Sequence, residues 1–272
     1  MLKLRLREPV MISGRDIFSR KAYIEFWPIG GIPNGWWWEY EEGEVIPIDF
    51  TIAQNRARRI VLCHKNAVLD MWDHIGSLRF TGLDGIVIKI GPGNYVPYFT
   101  NPMEYWNKLK DFCVSVCEDV KWFKIKNPVE INLDNQQGSI KVAPIKNEFE
   151  VLDVKIMVNF PELEPAETSL FFPFQSELSL EKIFSARTPG MPKWVFYLSR
   201  IFWWPHHDKV LWPYNNGDDG YGISKEIANH RLGDFLAAWS LLSHEGFVAT
   251  RISSHMAGHR EDIELLKKIE IV

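Results

Sequence analysis

A pattern that runs twice along the chain most constrains its fold: short strand-like stretches broken by Gly and Pro, each set accompanied by a few segments of helical period. Alternating or β-rich sequence at 3–7, 21–27, 36–40, 45–50, 59–63 and 85–90 predicts strands. Helices are predicted over 71–79 and 101–118, the second opening on Asn101-Pro102, a cap followed by a residue suited to the first turn. After 124–128 the pattern restarts. Strands are predicted at 129–133, 138–142, 148–158, 169–174 and 247–253, and helices from 179 and over 227–243 and 260–269. The class expected is α+β, with two similar domains, 1–126 and 127–272, each a β-sheet layered with two α-helices.

Composition narrows the function. With 272 residues, 46% hydrophobic and 24% charged, the chain is large enough for one big core or two smaller ones. Its 31 basic against 35 acidic residues give a net charge of −4, so nucleic acid is not an expected partner. No charge-free apolar run reaches the roughly 18 residues of a membrane span, and the charged alternation of residues 1–8 is unlike a signal peptide. A cytoplasmic protein is expected. Cys63, Cys113 and Cys117 are odd in number and scattered, which suits a reducing compartment. Cys113 and Cys117 would share a helix face as packing residues.

The chemistry concentrates near the C-terminus. His230 and Asp234 stand four residues apart in a stretch whose apolar residues recur at helical spacing, so both side chains leave one face and can grip one ion. Such a pair is also an ordinary helix-surface hydrogen bond. A catalytic zinc takes three protein ligands and leaves a place for water, so a further residue must come from elsewhere. His74, preceded by Asp73, is the best candidate; a helix cap beside a partly buried histidine is the plainer reading of that dipeptide. His259 follows in Gly258-His259. The run from 194 to 214 crowds aromatic residues between prolines, as core or as the lining of an apolar groove. His64, His206, His207, His244 and His255 have no matching partners and read as solvated or core residues.

Taken in order, Val61-Leu62-Cys63-His64, Val68 to His74, Gly82-Leu83-Asp84-Gly85, residues 149–161, Ser185 to Gly190, His230-x-x-x-Asp234 and Gly258-His259 resemble the zinc-dependent UDP-3-O-acyl-N-acetylglucosamine deacetylases of lipid A biosynthesis. The resemblance covers nearly the whole chain and implies two α+β domains with zinc between them. It implies His74, His230 and Asp234 as metal ligands, Asp73 as general base, His259 as the protonated partner of the leaving group or oxyanion, and Thr188 as an oxyanion donor. It implies hydrolysis of the N-acetyl group of an acylated nucleotide sugar. Arg231, Trp194 and Phe202 are the candidate substrate-binding residues, the last two within an aromatic lining for the acyl chain.

Several positions depart from that family. Asp73 stands for its glutamate and Arg231 for its lysine; Asp16-Ile17-Phe18 replaces Gly-Leu-His, and Pro189 replaces Phe. Ala238, eight residues after His230, replaces an aspartate that orients the catalytic histidine, so Glu245 or Glu261 would have to support His259. These changes keep open a metal-binding homologue with a binding or regulatory role, or a deacylase of a different N-acyl amine.

Overall fold

The computed structural model describes residues 3–30, 34–56, 59–133, 138–145, 150–160, 163–174, 176–190, 197–198, 204, 206–213 and 220–272. Its first five-stranded sheet has the order β2-β3-β9-β4-β5, from Val10–Arg15, Lys21–Pro28, Ile86–Ile90, Trp36–Glu41 and Glu44–Pro47. A three-stranded sheet joins β6 (Ala53–Arg56), β7 (Arg59–His64) and β8 (Ala67–Leu69), and β1 (Lys3–Leu6) pairs with β10 (Cys113–Val116). The largest sheet has the order β12-β13-β16-β14-β15, from Val129–Asn132, Ser139–Ala143, Phe247–His255, Leu152–Val158 and Ala166–Phe172. In β14 and β15 alternate residues are buried, so only one face of that hairpin meets the core.

The buried face is covered by α4 (Gly220–Trp239), a 20-residue helix. Leu232, Phe235, Leu236, Ala237, Ala238 and Trp239 are buried on every side of its C-terminal half, the mark of a helix end enclosed by other elements. Around it pack α1 (Trp72–Ile75), α3 (Glu177–Phe184) and α5 (His259–Leu266), with α2 (Pro102–Leu109) reaching α1 and α3. The fold is thus a mixed α+β one with several sheets and few helices. One apolar cluster contains buried residues from both sides of residue 126. Strand β11 (Trp122–Lys124), just before that position, pairs in parallel with β16. Arg79 spans the halves as well: its buried guanidinium donates to the carbonyls of Ser240, Ser243, His244 and Gly246. No helix among the described residues is long and apolar enough to cross a membrane.

Two expected helices take a different form. The 101–118 stretch gives α2, capped as predicted by the Asn101 side chain accepting from Glu104 N–H, then a short 3-10 turn, then β10. Val114 and Val116 favour extended backbone, and β1 offers a partner along its whole length, so long-range pairing overrides the helical period. Cys113 therefore lies in a strand, and the shared helix face with Cys117 does not exist. The 71–79 stretch is one turn of α-helix followed by 3-10 backbone to Thr81, and it closes at Gly82 with φ 95°.

Candidate metal centre

Asp73 and His74 are placed by the indole before them. Trp72 is fully buried, packs edge-on against Trp36, and donates its ring N–H to the carbonyl of Ala237 on α4 at 3.0 Å. Gly76 makes this approach possible: a Cβ there would lie 2.5 Å from the indole nitrogen and 3.0 Å from the Ala237 oxygen. Met71, at φ 62°, turns the chain from β8 into α1. A segment near residue 73 is thereby seated on the face of α4 that carries His230 and Asp234.

On α4, one helical turn separates those two side chains. His230 Nδ1 lies 3.2 Å from the Ala186 carbonyl. Only a protonated Nδ1 can donate there, which leaves Nε2 as a lone pair directed at the site. The chain after α3 is tied down by Arg187, bidentate on Glu226, and by Thr188. Both the backbone N–H and the hydroxyl of Thr188 donate to the Thr100 carbonyl, at 2.8 and 2.9 Å. This sets Thr188 Oγ1 3.4 Å from His74 Nε2.

His74, His230 and Asp234, all buried, each offer a ligand atom within 4.8 Å of the others. Asp73, Asp234 and His259 form a second, overlapping group of the same compactness. Asp234 joins the two, with one oxygen 3.4 Å from His230 Nε2 and the other 3.5 Å from His259 Nε2. The His74 and His230 rings meet edge to face at 5.5 Å.

Burial, then the neighbouring His230, holds His74 well below the ordinary histidine range, and burial takes His230 down to about 4. Both rings are neutral at pH 7, the form that binds metal. The carboxylates move the other way. Burial and then the facing Asp234 raise Asp73 well above its usual range, while burial lifts Asp234 to about 8. Asp234 and Asp262 are buried beside one guanidinium, Arg231, and Asp73 is buried next to Asp234; Arg59, whose charge reaches Asp73, is committed to Asp70 at 2.8 Å. The ionised cluster thus lacks positive charge, and Asp73 Oδ1 has no hydrogen-bond partner. Two neutral imidazoles, a carboxylate and a charge deficit suit a divalent ion of the zinc type.

The structure therefore gathers His74, His230, Asp234, Asp73, His259 and Thr188 within one site. Arg231 lies beside it, its Nε donating to the Ala257 carbonyl at 2.7 Å and its Nη2 bonded to Asp262. Trp194 and Phe202 lie outside the described residues. Two expectations change. Burial, then Arg231 and His230, pushes His259 down to about 3, so the ring is neutral rather than a standing cation. Neither glutamate supports it: Glu245 bonds Lys121, and Glu261 accepts from Gly258 N–H at the start of α5. The carboxylate beside His259 Nδ1 is Asp262, at 3.9 Å and fully buried, and its i,i+3 spacing from His259 was the available signal. Comparison of the sequence with family models and with curated proteins finds no match.

Proposed function

We propose that the chain is a zinc-dependent amidohydrolase that removes an N-acetyl group from an acylated UDP-glucosamine-type nucleotide sugar, a lipid A pathway-like reaction. The observation that carries the reaction class is the convergence of three buried ligand atoms, from His74, His230 and Asp234, with a second carboxylate, Asp73, alongside. The ordered resemblance of the motifs supports the substrate class. On this reading the residues before and after 126 form two domains, and the site lies at their interface, a preferred position for pockets.

His74, His230 and Asp234 would hold the ion, and zinc so bound supplies a Lewis acid for the amide carbonyl and a water that is nucleophilic near neutral pH. Asp73 Oδ1, free of other hydrogen bonds, accepts the proton of the attacking water. His259, whose Nε2 faces the same carboxylates, relays a proton to the departing amine. Thr188 Oγ1 lies at the edge of His74, and by turning its proton away from the Thr100 carbonyl the hydroxyl donates to an oxyanion developing there. The products are the free glucosamine amine and acetate.

Metal analysis of the purified protein, run beside an assay for acetate released from the acylated nucleotide sugar, tests the proposal. About one zinc per chain together with acetate release is the expected result. Zinc without acetate would favour a binding or regulatory protein on the same scaffold, or a deacylase of another N-acyl amine. Absence of both refutes the metal site.

A further inference from the structure

We propose that Asp262, held by Arg231, is the positioning residue that fixes the tautomer and orientation of His259, the role left open at Ala238. This rests on the amidohydrolase reading for its catalytic meaning, though the pairing itself does not. Ala238 sits buried in the apolar core of α4, and no carboxylate reaches His259 from that position. Asp262 comes instead from the first turn of α5, which His259 itself opens. Its Oδ2 is 3.9 Å from His259 Nδ1, and both atoms are buried without a hydrogen-bond partner. A buried N–H and a buried carboxylate oxygen left unpaired face to face form a bond that a closure of about 1 Å completes.

The other oxygen is already committed. Asp262 Oδ1 accepts from Arg231 Nη2, while Arg231 Nε is anchored on the Ala257 carbonyl, two residues before His259. The guanidinium thus ties together the short connection from β16 that delivers His259 and the carboxylate that faces it. Asp262 is fully buried and has no solvent to turn toward. A proton on Nδ1 shared with Asp262 leaves Nε2 as the open ring position, on the side of Asp234 and Asp73. The competing arrangement puts the proton on Nε2, donated to Asp234, and leaves Asp262 Oδ2 unpaired. The i,i+3 pair of α5 therefore substitutes for a carboxylate one turn beyond Asp234 on α4.

Nitrogen NMR of protein labelled with 15N in histidine, with the His259 signals assigned by their loss in His259→Gln, reads the tautomer directly. The expected wild-type spectrum shows His259 protonated on Nδ1; one showing the proton on Nε2 overturns the proposal without any variant. Asp262→Asn should abolish that preference and lower kcat by about ten- to a hundredfold, with KM and zinc content near wild type. Asp262→Glu should recover part of both. An unchanged tautomer or unchanged kcat in Asp262→Asn also overturns the proposal. Wild-type protein that releases no acetate would refute the deacetylase reading, while the spectrum would still decide the His259–Asp262 pairing.

Discussion

Substituting Gly76 by Ala tests how the fold delivers His74 to α4. Gly76 has φ −63° and ψ −29°, backbone that alanine adopts freely, so helix propensity alone favours the change by about 1 kcal/mol. Space opposes it. The new Cβ would fall 2.5 and 2.6 Å from two atoms of the Trp72 indole, where about 3.5 Å is needed. Overpacking of this kind costs about 1–3 kcal/mol, and if the ring retreats, the buried hydrogen bond to Ala237 is lost for about another 1–3 kcal/mol. The losses win, by about 1–5 kcal/mol. A drop in Tm of about 2–4 °C per kcal/mol should follow.

The site should feel the same displacement. His74 is two residues from Trp72 on the same turn, so an indole pushed back by about 1 Å carries the imidazole with it, whereas metal bonds hold to about 0.2 Å. Zinc affinity in Gly76→Ala is expected to fall by about 10–100-fold, measured by competition with a chelating dye. Gly233→Ala is the control: on α4 beside Asp234, its nearest new contact is Ile183 Cγ2 at an ordinary 3.7 Å. That variant should gain up to about 1 kcal/mol and keep its zinc affinity. A Gly76→Ala protein as stable as wild type with unaltered affinity would refute the claim that the Trp72–Ala237 contact positions the ligand.

Three further outcomes are expected. Arg79→Met should destabilise the protein by at least about 3 kcal/mol in chemical denaturation, since it strands four carbonyls that share one buried guanidinium; a smaller loss would show that water replaces it. His206, held below the ordinary histidine value by burial, binds fewer protons folded than unfolded, so its contribution is full above about pH 6.5 and declines as the pH falls below it. His206→Gln, which can still donate to the Asp16 carbonyl, should therefore lose less stability between pH 7 and 5 than wild type, and an equal loss would contradict the assignment. Asp73→Asn should retain zinc by elemental analysis while acetate release falls by about 10²- to 10⁴-fold; undiminished release would remove Asp73 as the base.

Periodicity made α4 legible, because the helix is long and apolar residues recur at helical spacing around His230 and Asp234. The strands β3, β4, β9 and β16 were legible for the same reason, having alternation or β-branched runs over several residues. What was not legible depends on partners distant in sequence. Strand β10 is four residues of a stretch with helical spacing, and only the presence of β1 makes it extended. The short strands β6, β8 and β11 carry too few residues to show a period. Thr188 owes its place to a carbonyl 88 residues away. Asp262 lay within an expected helix three residues after His259, a spacing that is ordinary by itself and stands out only once Arg231, from another helix, is seen to bond its other oxygen.

A buried His–Asp pair one helical turn apart is by itself an ordinary structural hydrogen bond, and charge is what argues for more here. A structural pair needs one carboxylate and a donor, and is then complete. At this site Asp234 faces a donor-poor surround: His230 gives its ring proton to Ala186, which leaves a lone pair toward the carboxylate at 3.4 Å, a contact without a proton between the two atoms. Asp73 adds a second carboxylate with an unpaired oxygen, and Arg231 spends its Nε and Nη2 on Ala257 and Asp262. The lone pairs of His230 and Asp234 face each other, and those of Asp73 lie alongside Asp234, so they repel unless a cation lies among them, and leaving a buried charge uncompensated costs several kcal/mol. Either the carboxylates take up protons, the direction in which burial pushes both, or a divalent ion occupies the position their lone pairs share. The second solution is the one the proposed function draws on, because it also uses the lone pairs of the neutral imidazoles His74 and His230 and leaves Asp73 able to take a proton.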